Sequence, residues 1–406
     1  MYDDYDDDGP DLELVELLRQ SLGLGAPNSK TPPPETKVLD GARYVFDNSI
    51  DVALDPKGTK QAAKTIWKMM QEKGYSTETW SEHELHPKAK DESTVDFIFT
   101  MDLLNFSFWS DELDDAKRFA IEYRGKRWTG YWSLVAALQR AIDEGKTNYH
   151  PFPRTKGNRD GTMLRLAEIP ITSSDFWQDE NECTEDVLKH VFRSATDEEI
   201  PLLQERIACL REAGTVLYEK YQCSFTNCIA EANGSAAALV NLLAQNFSCF
   251  RDETEFCGKQ VRFYKRAQIL VADLWACFQG ESYGEFHDID KITMFADYRI
   301  PQMLNQLGCL LYSPPLESVI RQRKPIPSGH QREVELRGAS IWCVELIRRE
   351  IDKLQQQVNG NKIDEGAKPI QVNAILIDFL LYDTAKDMEK EGKEAIPHHR
   401  TRSIWY

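Results

Sequence analysis

The segment "ASIWCVELIRREIDKLQQQV" repeats apolar residues at Ile341, Val344, Ile347, Ile351 and Leu354. Steps of three and four residues put one stripe on a helix and commit some twenty residues to burying it. The same period recurs elsewhere. "GYWSLVAALQRAIDEG" aligns Leu134, Leu138 and Ala141, with Gly145 expected as its stop, and "GSAAALVNLLAQNF" aligns Leu239, Leu243 and Phe247. "VNAILIDFLLYDTAKDMEKEG" is apolar nearly all round in its first half, which predicts a helix buried there. "STVDFIFTMDLLNFSFW" fits a strand or a buried helix, and period alone does not decide. The reading is a mainly α protein, with short strands near residues 37–54 and 150–170.

Residues 1–36 open with "MYDDYDDDGPDLE" and continue into a stretch rich in proline and turn formers. They are expected to form a disordered acidic tail, with "DLELVELLRQSLGL" as a short amphipathic helix at most. Residues 37–406 are expected to form a single helical domain. An apolar content of 41% with 28% charged residues suits a globular chain with a sizeable core. No run of about 18 apolar residues appears, so no membrane span is expected. The acidic start has the wrong sign for a signal or transit peptide, which points to the cytoplasm or nucleus. Oligomeric state stays open.

The formal charge of −17 lowers the odds of duplex nucleic acid as a partner, because surfaces that bind it carry a basic excess. It favours a small ligand, including a cationic one. Nine cysteines lack zinc-ligand spacing and no HExxH occurs, so reduced thiols and no structural metal are expected.

Several acids stand out against their surroundings. In "FHDIDKITMFADYRIP", Asp297 sits among Phe295, Ala296 and Tyr298, just before a helix in which Pro301 suits the first turn and Gly308 the stop. A carboxylate there can cap free backbone N–H groups, the commoner role. It also suits cleavage of a glycosidic bond, whose transition state puts positive charge on the sugar. In "AILIDFLLYD", Asp378 has apolar helical neighbours, and Asp383 follows about 140° further round the helix. The bland alternative for Asp378 is a structural pair with an arginine. Lys265 opens a helix in "FYKRAQILVADLW" that carries Ile269, Ala272 and Leu274 inward, and a lysine there is most often solvated or phosphate-facing. "WSEHELHP" offers His83 and His86, more often surface groups. "PHHRTRSIWY" supplies Arg400 and Arg402, cations for a phosphate or simply a basic tail.

Taken together, "ELHP", "MDLLNFSFWSDE", "YRGKRWTGYWSLVAAL", "ITSSDFW", "FYKRAQILVADLW", "ITMFADYRIPQMLNQLG", "RGASIWCVELI", "IDFLLYD" and "PHHRTRSIWY" resemble the queuosine salvage proteins, from about residue 38 to the C-terminus. The resemblance implies hydrolysis of queuosine 5′-monophosphate to queuine and ribose 5-phosphate, without metal or organic cofactor. It implies an all-α fold related to the helix-hairpin-helix DNA glycosylases, although the usual hairpin glycines are missing here. It makes Asp297 the catalytic carboxylate, with Lys265 as a further candidate. Phe295, Asp378, Phe379, Asp383 and His83 would bind queuine, and Tyr298, Arg400 and Arg402 would be further substrate contacts. Phe379 stands where the family often has tyrosine, so stacking survives there and a hydroxyl contact does not. A non-catalytic queuine carrier and a DNA-base glycosylase are the rival readings.

Overall fold

In the computed structural model the described residues are 33–112, 114–147, 169–359, 372–393 and 395–406. The expected tail, its short helix and the strand expected near 150–170 lie almost wholly outside them. The fold is mainly helical, and residues 35–406 cluster as one compact unit.

Its longest described helix is Gln331–Asn359, the segment with the five-residue stripe. Ile341, Val344, Ile347 and Ile351 are all buried. The helices Val38–Asp47 and Pro56–Lys73 pack along it. The first crosses so closely that a Cβ on Gly338 would lie 2.5 Å from Val45 Cγ1, a clash that only glycine avoids. The second starts cleanly: Asp55 accepts a hydrogen bond from the Lys57 N–H, Pro56 takes the first position, and Gly74 ends it in the left-handed conformation. Residues 37–54 are therefore mostly helix, and only Val52–Leu54 is a strand, paired antiparallel with Leu310–Tyr312. Among the described residues two hairpins complete the β structure, 121–123 with 126–128 and 253–256 with 259–262. Both turn on two left-handed residues, Arg124-Gly125 and Cys257-Gly258, as tight hairpins require.

The centre of the core is the Lys265–Cys277 helix, buried on all sides except at Trp275. Glu92–Leu103 packs against it and is a helix, which settles the strand-or-helix ambiguity of that run. The free carbonyls at its C-terminal end are met by two buried arginines. Arg266 donates to the carbonyls of Leu103 (2.6 Å) and Asp102, and Arg206 donates to those of Leu104 and Phe106. One expected stop fails: the helix beginning at Tyr131 continues through Gly145 to Thr147. A glycine costs a helix about 1 kcal/mol, which the packed face of Leu134, Leu138 and Ala141 outweighs. No described helix is long and apolar enough to cross a membrane.

Candidate active site

Asp297 leads into the helix Arg299–Gln306. Its Oδ1 accepts the backbone N–H groups of Arg299 (2.8 Å) and Ile300 (3.0 Å), so the capping role is real. Its other oxygen, Oδ2, meets no hydrogen-bond donor among the described residues, and the residue is only partly buried. One oxygen is fixed and the other is not engaged by the described residues. The approach to the cap is held by Arg337, which reaches from the long helix to the Ala296 carbonyl (3.2 Å) and grips Asp252 with both terminal nitrogens (2.9 and 2.5 Å). Asp252 in turn accepts the backbone N–H of Lys265 (3.2 Å). One buried ion pair thus fixes both the start of the core helix and the irregular segment leading to Asp297.

Lys265 is buried rather than solvated, contrary to the commoner expectation for a lysine at a helix start. Burial pulls its ammonium down to about 8, with Asp297 and Asp378 holding it up and Arg337 and Arg266 opposing them. Among the described residues Asp378 has no arginine partner. Its Oδ2 accepts the Phe295 N–H at 3.0 Å, and burial, then the charge of Asp297, push its carboxyl well above the usual range. Phe295 and Phe379 approach with ring centroids 6.1 Å apart. Asp297, Lys265, Asp378, Phe295 and Phe379 therefore form one cluster.

Next to this cluster opens a cleft of about 1200 Å³. Tyr298, Tyr382, Asp383, His83 and Arg400 are among its lining residues. Asp297 is not on its wall, but its charge acts on both Tyr298 and Tyr382, which are. The Ala374–Lys390 helix therefore faces two ways, with Asp378 turned to the core and Asp383 to the cleft, as their angular offset requires. Asp383 accepts the Tyr75 hydroxyl at 2.6 Å. His83 is no loose surface group. It stacks on Trp132 (centroids 3.3 Å, 14° between planes), while His86 stacks on Trp80 and binds the Tyr131 hydroxyl at 2.8 Å. Burial lowers His83 to about 4, so the ring is neutral at pH 7. The Leu85 N–H donates to its Nδ1 (3.3 Å), which leaves Nε2 to carry the proton. Arg402 does not line the cleft. Its guanidinium lies 3.6 Å from the Trp109 ring centroid and donates to the Trp109 carbonyl (2.7 Å). The C-terminal stretch is no loose tail either, because His399, Arg400 and Thr401 are buried.

Sequence reasoning missed the supports: Tyr75, Trp132 and Tyr382 on the wall, Arg337 and Asp252 behind it, and two further buried acids. Asp273 accepts the Trp80 indole N–H (3.0 Å), and burial followed by the charge of Asp102 pushes it well up. Asp102, raised to about 8 by burial, has an Oδ2 with no hydrogen-bond partner among the described residues. Both have mainly apolar residues as their near neighbours in the chain, the same signal that marked Asp378. Among the described residues, no group of three metal-ligating side chains is arranged to hold an ion.

Comparison with known proteins gives a consistent result. The family model described as "Queuosine salvage protein" matches residues 85–160 and 162–406. A relative from Schizosaccharomyces pombe is 42% identical over 384 residues, 91% of this chain and 100% of its own length. One from Nematostella vectensis is 41% identical, covering 90% and 97%. A bacterial relative from Sphaerobacter thermophilus is 35% identical, covering 92% and 99%. All three carry the name "Queuosine 5′-phosphate N-glycosylase/hydrolase".

Proposed function

The chain belongs to the queuosine salvage protein family, and from that premise we propose that it hydrolyses the N-glycosidic bond of queuosine 5′-monophosphate. The products are queuine, for reuse in tRNA modification, and ribose 5-phosphate. Water supplies a hydroxyl to C1′ and a proton to the departing base. A 7-deaza base has no N7 to protonate, so catalysis leans on stabilising the sugar cation. The free Oδ2 of Asp297 is the observation that carries this reading: a carboxylate held by two backbone N–H groups, with one oxygen unspent, is a fixed negative charge for C1′.

Phe295 and Phe379 would sandwich or flank the base, and Asp378 would meet its guanine-like edge. Burial and the charge of Asp297 favour the neutral form of Asp378, which can donate one hydrogen bond as well as accept. Asp383 and His83 would hold the aminocyclopentenediol side of queuine, where an anionic acid suits the protonated amine. Lys265, whose charge is felt by Asp378 and which feels that of Asp297, would balance the acids of the cluster rather than attack the sugar. The order of a buried lysine followed by a helix-capping aspartate supports a relationship to the helix-hairpin-helix glycosylases. A β-hairpin, 253–262, precedes Lys265 here, and that argues against a nucleophilic lysine. We read residues 37–406 as one catalytic domain, acting in the cytoplasm or nucleus on a small molecule rather than on duplex DNA.

The test is to incubate the purified protein, without added metal, with queuosine 5′-monophosphate and follow free queuine by mass spectrometry. Catalytic release is expected. A folded protein that binds queuine and releases none from the nucleotide would be a carrier, and the hydrolase reading would fall.

A further inference from the structure

The cleft wall carries arginines whose charges are incompletely answered, although the chain as a whole is strongly acidic. Arg400 pairs through Nη1 with Asp111 (2.9 Å), a carboxylate whose side chain is 74% exposed. Arg118 pairs with Asp115 (2.5 Å), which is 82% exposed, and donates Nε to the Glu112 carbonyl (2.8 Å). Arg323 is exposed on the same wall, and no hydrogen bond or ion pair of its side chain is found among the described residues. Exposed partners neutralise weakly. Arg400 is accordingly pulled down by burial and, despite Asp111, by the charges of Arg323 and Arg118.

The backbone builds this convergence. Arg323 lies just past the Pro314–Arg321 helix in a left-handed conformation, φ 54°. The chain then runs beside the C-terminal segment: Pro325 bridges Arg400 in parallel, the Ile326 N–H donates to the Arg400 carbonyl (2.8 Å), and Thr401 Oγ1 donates to the Ile326 carbonyl (2.9 Å). Two residues before Arg400, His398 packs on Tyr298, the neighbour of Asp297, with ring centroids 4.6 Å apart. The arginines thus stand on the Asp297 side of the cleft. Two further cations of the wall, Arg299 and Lys386, are already spent, since they share Glu389, each at 2.6 Å.

We infer that Arg118, Arg323 and Arg400 form the subsite for a phosphomonoester, the 5′-phosphate of the nucleotide. This rests on the hydrolase reading for the identity of the ligand, but not for the existence of the site. Arg402, committed to Trp109, is a positioning residue that fixes the segment carrying Arg400. Guanidinium groups suit a phosphate because their forked N–H groups match its oxygens, and a dianion answers several cations together. Asp111 and Asp115 are exposed enough to yield to it.

The test uses the full chain and isothermal titration with ribose 5-phosphate, ribose and queuine. Native protein should bind ribose 5-phosphate at least about 100-fold more tightly than ribose. Arg323→Ala and Arg118→Ala should each weaken ribose 5-phosphate about tenfold, with Arg323→Lys recovering part of the loss, as expected for charge-assisted contacts. Affinity for queuine, which has no phosphate, should stay within about twofold. Both variants avoid the buried Arg400, whose loss endangers folding. Unchanged ribose 5-phosphate affinity, equal weakening of queuine, or no ribose 5-phosphate binding by the native protein would each overturn the subsite. Arginine-dependent ribose 5-phosphate binding without queuine release from the nucleotide would leave the subsite standing and sink the hydrolase reading instead.

Discussion

Asp297 does two jobs with two oxygens, and substitution can separate them. Asp297→Asn would keep an Oδ1 able to accept the Arg299 and Ile300 N–H groups, now at 2.8 and 3.0 Å, while losing the charge on the other atom. Asp297→Ala would lose both. Removing a helix cap costs about 0.5–2 kcal/mol. With unfolding entropy of about 2.1 cal/mol/K per residue, a domain of this size loses only about 1 °C in Tm per kcal/mol. Asp297→Ala should therefore melt about 1–2 °C below native, and Asp297→Asn closer to it. Activity should not follow that order. Losing one fixed charge or donor aimed at a transition state costs about 10²–10³ in rate, and both variants lose it, so both should fall at least that far in kcat. The assay is queuine release under saturating queuosine 5′-monophosphate, beside calorimetric melting. An Asp297→Asn enzyme retaining more than about a tenth of native kcat would refute the electrostatic role and reduce the residue to a cap.

Other outcomes follow from the same geometry. Burial holds Lys265 at about 8, so its ammonium is lost as pH rises through 8, and kcat/KM should fall on the alkaline side with an apparent pKa near that value. For stability the sign is opposite. The folded state releases this proton more readily than the unfolded chain does, so from pH 8 towards the ordinary lysine value this group adds stability as pH rises. A pH–rate profile of native protein against Lys265→Met, with melting at the same pH values, checks both. Arg337→Met should cost about 3–5 kcal/mol, read in denaturant titration, because it strands the buried Asp252 and frees the Ala296 carbonyl. His83→Ala should weaken queuine binding and change Trp132 fluorescence, since the imidazole stacks on that indole at 3.3 Å. An unaltered queuine affinity would remove His83 from the site.

The helical class was legible because long stripes have one period and few ways to be buried. Ile341 to Ile351 landed in the core as their spacing required. Gly145 misled because a weak local signal was read without the packing that overrides it. Asp297, Asp378 and Lys265 drew notice from sequence because each is a polar group in an apolar setting, and each turned out to sit in one cluster. The bland expectation failed for Lys265 and Asp378 for a shared reason: residues 265, 297 and 378 answer one another across the fold, and sequence distance hides that. Asp102 and Asp273 carried the same signal unread. Arg118 and Arg323 carried none, because an exposed arginine is ordinary until its neighbours prove to be arginines too.

The charge balance of −17 also looks different once it is placed in space. Burial lifts the carboxyls of Asp102, Asp273 and Asp378, the charge of Asp102 adding to the shift of Asp273 and those of Asp297 and Asp273 to that of Asp378, so the acids do not all carry charge at neutral pH. Full ionisation there would be self-defeating. The cleft beside them offers Asp383 on one element and Arg118, Arg323 and Arg400 on others. A ligand with an amine cation at one end and a phosphate dianion at the other is matched by such a wall. A neutral nucleoside would satisfy only half of it. If the arginines serve the phosphate, loss of the 5′-phosphate should cost affinity through the cations and leave the acid side indifferent. Thus Arg323→Ala and Asp383→Asn should be additive within about 0.5 kcal/mol in binding queuosine 5′-monophosphate, as for independent sites. Strong coupling in that double-mutant cycle would mean that the two sides do not read separate ends of the ligand.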